Sequence, residues 1–238
     1  MTMARVAAGP DTGLPWHYGD PLAEQRRLER GDGLVDLSNR DILVLTGADR
    51  LAYLDRLSTQ RLADLAPGQA AVAYLLDAQG HIVFDLHLTA ADDAVWLWTE
   101  PGRGPALAAW LDERKFRAAV TVAYRPDYAL LWQADPTAAT GHVVRRGPDS
   151  LGGAEWFAPR SDLPALLEAA APAGVWAWEA RRIAAGLPRI GVDTDERTLP
   201  NELGVPSAAV SLDKGCYPGQ ETVARVYHLG RPPRRLVR

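Results

Sequence analysis

From residue 81 to residue 89 the chain alternates: Ile82, Phe84, Leu86 and Leu88 fall on one side, His81, Val83, Asp85, His87 and Thr89 on the other. A period of two residues is that of a β-strand with one apolar face, which places Asp85 on the opposite, mostly polar face with His81 and His87. The preceding "AAVAYLL" reads as its partner strand, joined through Asp77–Gly80 in a hairpin. "RDILVLTG", "AVWLWTE" and "AAVTVAY" read as further strands. "GADRLAYLDRLS" instead sets Leu51, Leu54 and Leu57 on one side, with Tyr53 beside them, and "GPALAAWLDERKF" also reads as a helix.

An earlier helix is punctuated by Asp20 as N-cap, Pro21 at the first helical position and Gly31 as the stop. After "RPD" the pattern restarts with strands at "YALLWQA" and "EWFAP", then helices over about 161–171 and 175–186, the second ending at Gly186. "RIGVDTDERTLPNELGVP" has no sustained period and predicts a long irregular loop, of a kind that is often functional. Hairpins mixed with helices predict an α+β fold of antiparallel sheets with packed helices around a central cleft. The expected division is residues 1–125 as an N-terminal α+β part, 126–230 as a second α+β part, and 231–238 as a linker.

The 238 residues are 47% hydrophobic, enough for one large or two modest globular domains. A net charge of −4 argues against whole-surface attraction to nucleic acid or anionic lipid. No apolar run approaches the roughly 18 residues of a membrane span. The single cysteine excludes an intramolecular disulfide, and the polar start carries no secretion signal, so the expectation is a soluble, cytoplasmic protein without a membrane partner.

That cysteine, Cys216, lies in "LDKGCYPGQETVARVYHLG". Pro218 fits the first turn of a helix through "GQETVARVY", with Glu221 in its acid-favouring first turn. The thiol then sits at a helix N-terminus beside Lys214, one of only two lysines, a setting that lowers a thiol pKa below roughly 8.5. Gly215 and Gly219 would let backbone approach a ligand closely. The plainer reading of a lone cysteine is a small buried hydrophobe, and the plainer reading of Asp85 is a solvated carboxylate. In a cleft, Asp85 would instead hold a nitrogen-bearing ligand or act as a base. No CxxC or histidine pair at ligand spacing points to a metal, although one thiolate can supply one ligand of a shared cluster. The basic tail "GRPPRRLVR" lacks the aromatic interleaving of a nucleic-acid-binding arm.

"KGCYPGQE", with "TVAR" after it and "RIAAGLPRIGVDTDERTLPNE" before it, resembles the YgfZ family, as do "GLVDLSNRDILVLTGADRLAYLDRLSTQ" and "LLDAQGHIVFDLHL" nearer the start. That family is related in fold to the folate-dependent T-protein of glycine cleavage, an aminomethyltransferase. The resemblance implies a tetrahydrofolate-binding protein that supports iron–sulfur cluster assembly or repair, with indirect effects on tRNA modification. It implies Cys216 and Lys214 as the reactive pair, with Gly215, Tyr217, Gly219, Gln220 and Glu221 as their setting and Asp85 near the folate. The implied partners are folate and iron–sulfur assembly proteins or their client enzymes, with a cluster held at most transiently. Two departures stand out. Ala184 replaces the glutamate expected to hold the pterin, and the C-terminal β-barrel expected after Arg238 is absent from the sequence. A folate-dependent aminomethyl or methyl transferase is the alternative function, and nucleic-acid binding a distant third.

Overall fold

The computed structural model describes residues 2–135, 139, 141–204 and 206–237. In chain order the elements are β1 (Ala4–Arg5), β2 (Pro15–His17), α1 (Pro21–Glu29), β3 (Leu34–Asp36), β4 (Asp41–Thr46), α2 (Arg50–Leu57), β5 (Ala70–Leu76), β6 (Ile82–Ala90), β7 (Ala94–Thr99) and α3 (Gly104–Glu113). They continue as β8 (Thr121–Tyr124), β9 (Tyr128–Gln133), β10 (Val143–Arg145), β11 (Ala154–Pro159), α4 (Leu163–Ala169), β12 (Pro172–Ala173), α5 (Val175–Ala185), α6 (Pro206–Ala209) and α7 (Gln220–Leu229). The α+β class and its antiparallel sheets are as the sequence pattern predicts.

Two five-stranded sheets carry the fold, in the orders β5-β6-β7-β4-β8 and β10-β11-β9-β3-β12. Every pairing in the first is antiparallel; in the second only β12 runs parallel to its neighbour, β3. One face of the first sheet buries Leu43, Leu45, Leu75, Leu86 and Leu97 against α2 and α3. Its other face sends Ile42 and Trp98 into a core shared with Leu130, Trp132 and Phe157 of the second sheet and Trp178 of α5. The outer face of the second sheet packs Leu131 and Trp156 against Leu163, Leu166 and Leu167 near or within α4.

This layering corrects the reading of β6. Its polar face is buried between the sheets, with Asp85 1% exposed and Thr89 fully buried. A bulge in the β5–β6 pairing, where Leu75 opposes Phe84 but Leu76 opposes Ile82, leaves Val83 as the extra residue. The slip carries Ile82 away from Phe84 and into a separate cluster with Leu76, Tyr217 and Val223. His81 precedes the strand, and its ring and backbone nitrogens both bond Asp77, locking the turn.

The strands of the first sheet, β4–β8, lie within residues 41–124, and those of the second, apart from β3, within residues 128–173. β3 pairs with β9, and α1 packs against α5, so elements from the N-terminal segment complete the second sheet and its helix layer. β3 is three residues long, too short for its period to be read, and all three are buried. Residues 231–237, expected as a linker, lie against the 195–202 loop: Arg234 pairs with Asp195 and Glu202, and the Leu236 amide donates to the Glu202 carbonyl.

The helix after the cysteine motif starts at Gln220, with Gly219 as its N-cap and Pro218 just outside. Gly219 has φ +78°, and a Cβ there would sit 2.6 Å from the Asp77 carbonyl oxygen and 2.9 Å from the Gly80 Cα. The residue has to be glycine because the helix start presses on the β5–β6 turn. Gly219→Ala should therefore lower unfolding free energy by about 1–3 kcal/mol, measured as a reduced urea midpoint with unchanged slope.

Candidate functional site

A cavity with about 80 Å³ of open space lies between the two sheets and α5. Val72 and Tyr74 of β5, His87 of β6 and Trp98 of β7 form its floor, Asp149 and Glu155 come from the second sheet and its β10–β11 connection, and Trp178 and Arg182 of α5 close it with Arg189. Trp98 stacks flat on His87, centroids 3.7 Å apart and planes 3° from parallel.

A chain of alternating charge crosses the sheets here. Asp85 accepts from the Thr99 hydroxyl at 2.7 Å and contacts His87 Nε2 at 3.0 Å. His87 Nδ1 lies 2.5 Å from Asp149, whose other oxygen accepts from the fully buried Arg145. Arg145 also donates to Glu155 at 2.9 Å and to the Ala71 carbonyl of β5. Burial alone would push the His87 imidazole down, but the charge and hydrogen bond of Asp149, with those of Asp85, raise it to about 9. Burial likewise opposes the ionised forms of Asp85 and Asp149, yet His87 carries Asp85 below its ordinary value, and Arg145 with His87 carries Asp149 well below. His87 is thus an imidazolium between two carboxylates.

A second cluster roofs the cavity. Arg189 donates to Glu100 at 3.0 and 2.7 Å, to Asp11 at 2.6 and 3.1 Å and to Glu179 at 3.1 Å. Arg182 holds Glu179 and Asp193, and Arg40 reaches Asp11 at 2.7 Å.

Asp85, expected near the folate, therefore stands behind His87 and does not itself line the cavity. Ala184 is exposed on α5 outside the lining, and Glu179, the nearby acid, is spent on Arg182 and Arg189. His87, Tyr74, Asp149, Arg145 and Glu155 were not among the expected site residues. Only the shared strand face of Asp85 and His87 hinted at part of this group, because the rest arrive from distant segments.

None of the motif residues lines this cavity. Cys216 is exposed and lies in a separate groove of about 660 Å³ bordered by Asp77, Val83, Trp110, Arg114 and the 217–222 segment. Around it the motif works as a clamp. Lys214 Nζ donates to the carbonyls of Asp55, Ser58 (2.8 Å) and Gln60 (2.9 Å), so its ammonium braces the end of α2 rather than serving the thiol. Tyr217 is buried with Val223, Gly219 abuts the hairpin turn, Gln220 opens α7 and Glu221 is exposed in its first turn. Gly215 is exposed with open space around its Cα. Among the described residues no group of three His, Cys, Asp or Glu side chains could hold a metal ion, and no helix is long and apolar enough to cross a membrane.

The GCVT N-terminal domain matches residues 11–141, more than half of the chain. The chain belongs to the GCVT N-terminal domain family. Aminomethyltransferases of Methylococcus capsulatus and Bordetella petrii are 27% and 29% identical to this GCVT-domain chain, over 81% and 85% of its length. It spans 62% and 67% of those proteins, about two thirds of the length of the relatives it matches. The crystal structure of the glycine cleavage system aminomethyltransferase T of Bartonella henselae superposes with a TM-score of 0.81 over 96% of this chain and 71% of that one, at 21% identity, so the fold is shared.

Two outcomes follow from the charge chain. His87 titrates near 9 when folded against 6.5 ordinarily, so its contribution to stability is complete below about 6.5 and disappears as pH rises through 9. Thermal scans from pH 6 to pH 10 should show Tm falling across that window, and His87→Gln should flatten the decline. Arg145→Met leaves Asp149 and Glu155 without their buried cation and should cost about 3–5 kcal/mol in urea unfolding.

Proposed function

We propose that this protein binds tetrahydrofolate in the cavity between its sheets and takes part in folate-dependent one-carbon transfer, of the aminomethyl or methyl kind. The cavity carries this reading: flat aromatic walls at Trp98 and Trp178, closed by charged groups that are already paired. Its chemistry fits a flat ring system, because the two tryptophans that line it, Trp98 and Trp178, each keep a buried indole N–H without a partner among the described residues. The aminomethyltransferase relatives support the same reading.

Bound tetrahydrofolate supplies ring nitrogens able to carry a one-carbon unit. The protein's part is to bind, orient and exclude water. Trp98 is fixed beneath His87 by stacking, and both His87 ring nitrogens hold protons directed at Asp85 and Asp149. Asp85 stays anionic behind that ring and reaches a ligand only through it. Calorimetry with tetrahydrofolate tests the proposal: the expected result is saturable binding at one site, weakened at least about tenfold by Trp98→Ala through lost stacking area. Absence of binding to the wild-type protein sinks it.

A second reading rests on one observation, the exposure of Cys216 at a groove apart from the cavity. It assigns the chain to the YgfZ family's iron–sulfur cluster maintenance, with Cys216 as the working thiol and the motif around it as its mount. Under oxidative stress, cells lacking the protein should recover iron–sulfur enzyme activity with the wild type and not with Cys216→Ala, while tetrahydrofolate binding is equal in both. Equal rescue by the two would remove this reading and leave the folate one standing.

A further inference from the structure

Between α3 and β8 the chain reverses in a tight turn, in which the Ala118 amide donates to the Lys115 carbonyl at 2.8 Å. Phe116 is the first central residue of that turn, with φ +48°. Gly, Asn and Asp ordinarily fill such a left-handed position, because the Cβ of other residues crowds the following carbonyl. Here it holds an aromatic ring that is 95% exposed, the most exposed large apolar side chain among the described residues. Two unfavourable features therefore coincide at one residue, a strained backbone and a ring left in water. At that exposure the rest of the chain offsets neither.

Phe116 rims a hollow of about 730 Å³ between α2 and the end of α3, lined on its apolar side by Ala52, Tyr53 and Leu57. Its charged lining is Arg56, Arg114, Lys115 and Arg117 against a single acid, Asp49, whose carboxylate accepts from the Ala119 amide. Glu113 and Asp112 of α3 pair with Arg114 and Lys115. Arg56 and Arg117 are exposed and make no hydrogen bond or ion pair with any described residue. On a protein of net charge −4 this is a local excess of cations.

The charge and the shape decide what fits. A second copy docked through the same face would set cation against cation. A flat lipid surface would cover the ring and leave the hollow unfilled. An acidic protein segment that also carries an apolar side chain fills the hollow, covers Phe116 and brings carboxylates to both free arginines.

We propose that the Phe116 turn and the hollow beside it dock an acidic segment of another protein, with the ring as apolar anchor and Arg56 and Arg117 as the charged contacts that orient it. α2 and α3 cover the face of the first sheet turned away from the second, so docking leaves the cavity between the sheets open and does not depend on the folate reading. Arg114 borders the Cys216 groove as well, so the docked segment lies next to the exposed thiol.

Phe116→Asn tests this with two readouts of opposite sign. Asparagine suits the turn, so the urea midpoint should rise with an unchanged slope. A lower midpoint would show that the ring serves the fold, and would overturn the proposal. Binding is read by fluorescence anisotropy with a dye-labelled peptide of glutamate and leucine and with its glutamine and leucine counterpart. The wild type should bind the acidic peptide at least about tenfold more tightly than the neutral one. Arg56→Gln combined with Arg117→Gln should abolish that preference, and Phe116→Asn should weaken the acidic peptide about tenfold. Equal binding of the two peptides by the wild type, or an acidic peptide held as tightly by Phe116→Asn, overturns the proposal. Sedimentation with phosphatidylserine and phosphatidylcholine vesicles gives the remaining outcome: binding to vesicles that is lost in Phe116→Asn, without a preference between the peptides, assigns the face to a lipid surface and overturns the protein partner.

Discussion

The structure depends on the charge chain Asp85–His87–Asp149–Arg145–Glu155. Asp85 and His87 stand on the first sheet, and Arg145 and Glu155 on the second. Each charged group has been taken out of water, which by itself opposes folding. The arrangement holds because signs alternate along its length, so each interior charge has an opposite on both sides at hydrogen-bonding distance. Since the links lie across the layer boundary, the chain fixes the spacing and register of the sheets, which apolar contacts between Trp98, Phe157 and Leu130 would leave looser. The cavity is the gap left where the charged groups replace interdigitated apolar side chains.

The arginine cluster around Arg189 does the same at the roof, from other segments. Asp11 comes from the N-terminal segment, Glu100 from the end of β7 and Glu179 from α5. Four parts of the chain therefore meet at one guanidinium, whose planar fork can serve several carboxylates at once where a lysine could not. Acids that a sequence reading would offer to a ligand are consumed in this way. The number of carboxylates near a cleft is a poor guide to its chemistry when arginines stand beside them.

Elements set by local periodicity were legible in the sequence: the β5–β6 hairpin, the α1 cap at Asp20, whose carboxylate accepts from the Ala23 amide, and the Gly186 stop of α5 in the left-handed conformation. The burial of β6 on both faces was not, because polar residues at alternate positions look the same whether they meet water or a second sheet. Phase was lost at the Val83 bulge, which has no composition signal of its own. The place of Asp85 behind His87 was not legible, and Lys214 was assigned to its sequence neighbour when its partners lie more than 150 positions away. Cys216 could be seen to be unusual, and the reason its neighbours are so constrained needed the hairpin turn against which they pack.

That contact has a consequence for timing. Gly219 and Thr222 rest on Gly80 of the β5–β6 turn, joining chain segments roughly 140 residues apart. Contacts of such separation form late, after the loop between them has been closed. The hairpin turn therefore acts as a template that has to be finished before the cysteine segment can take its shape. Cys216 reaches its displayed position only in a molecule whose first sheet is already assembled, so a partner that reads this thiol in its groove would be reading, at the same moment, whether the protein is folded.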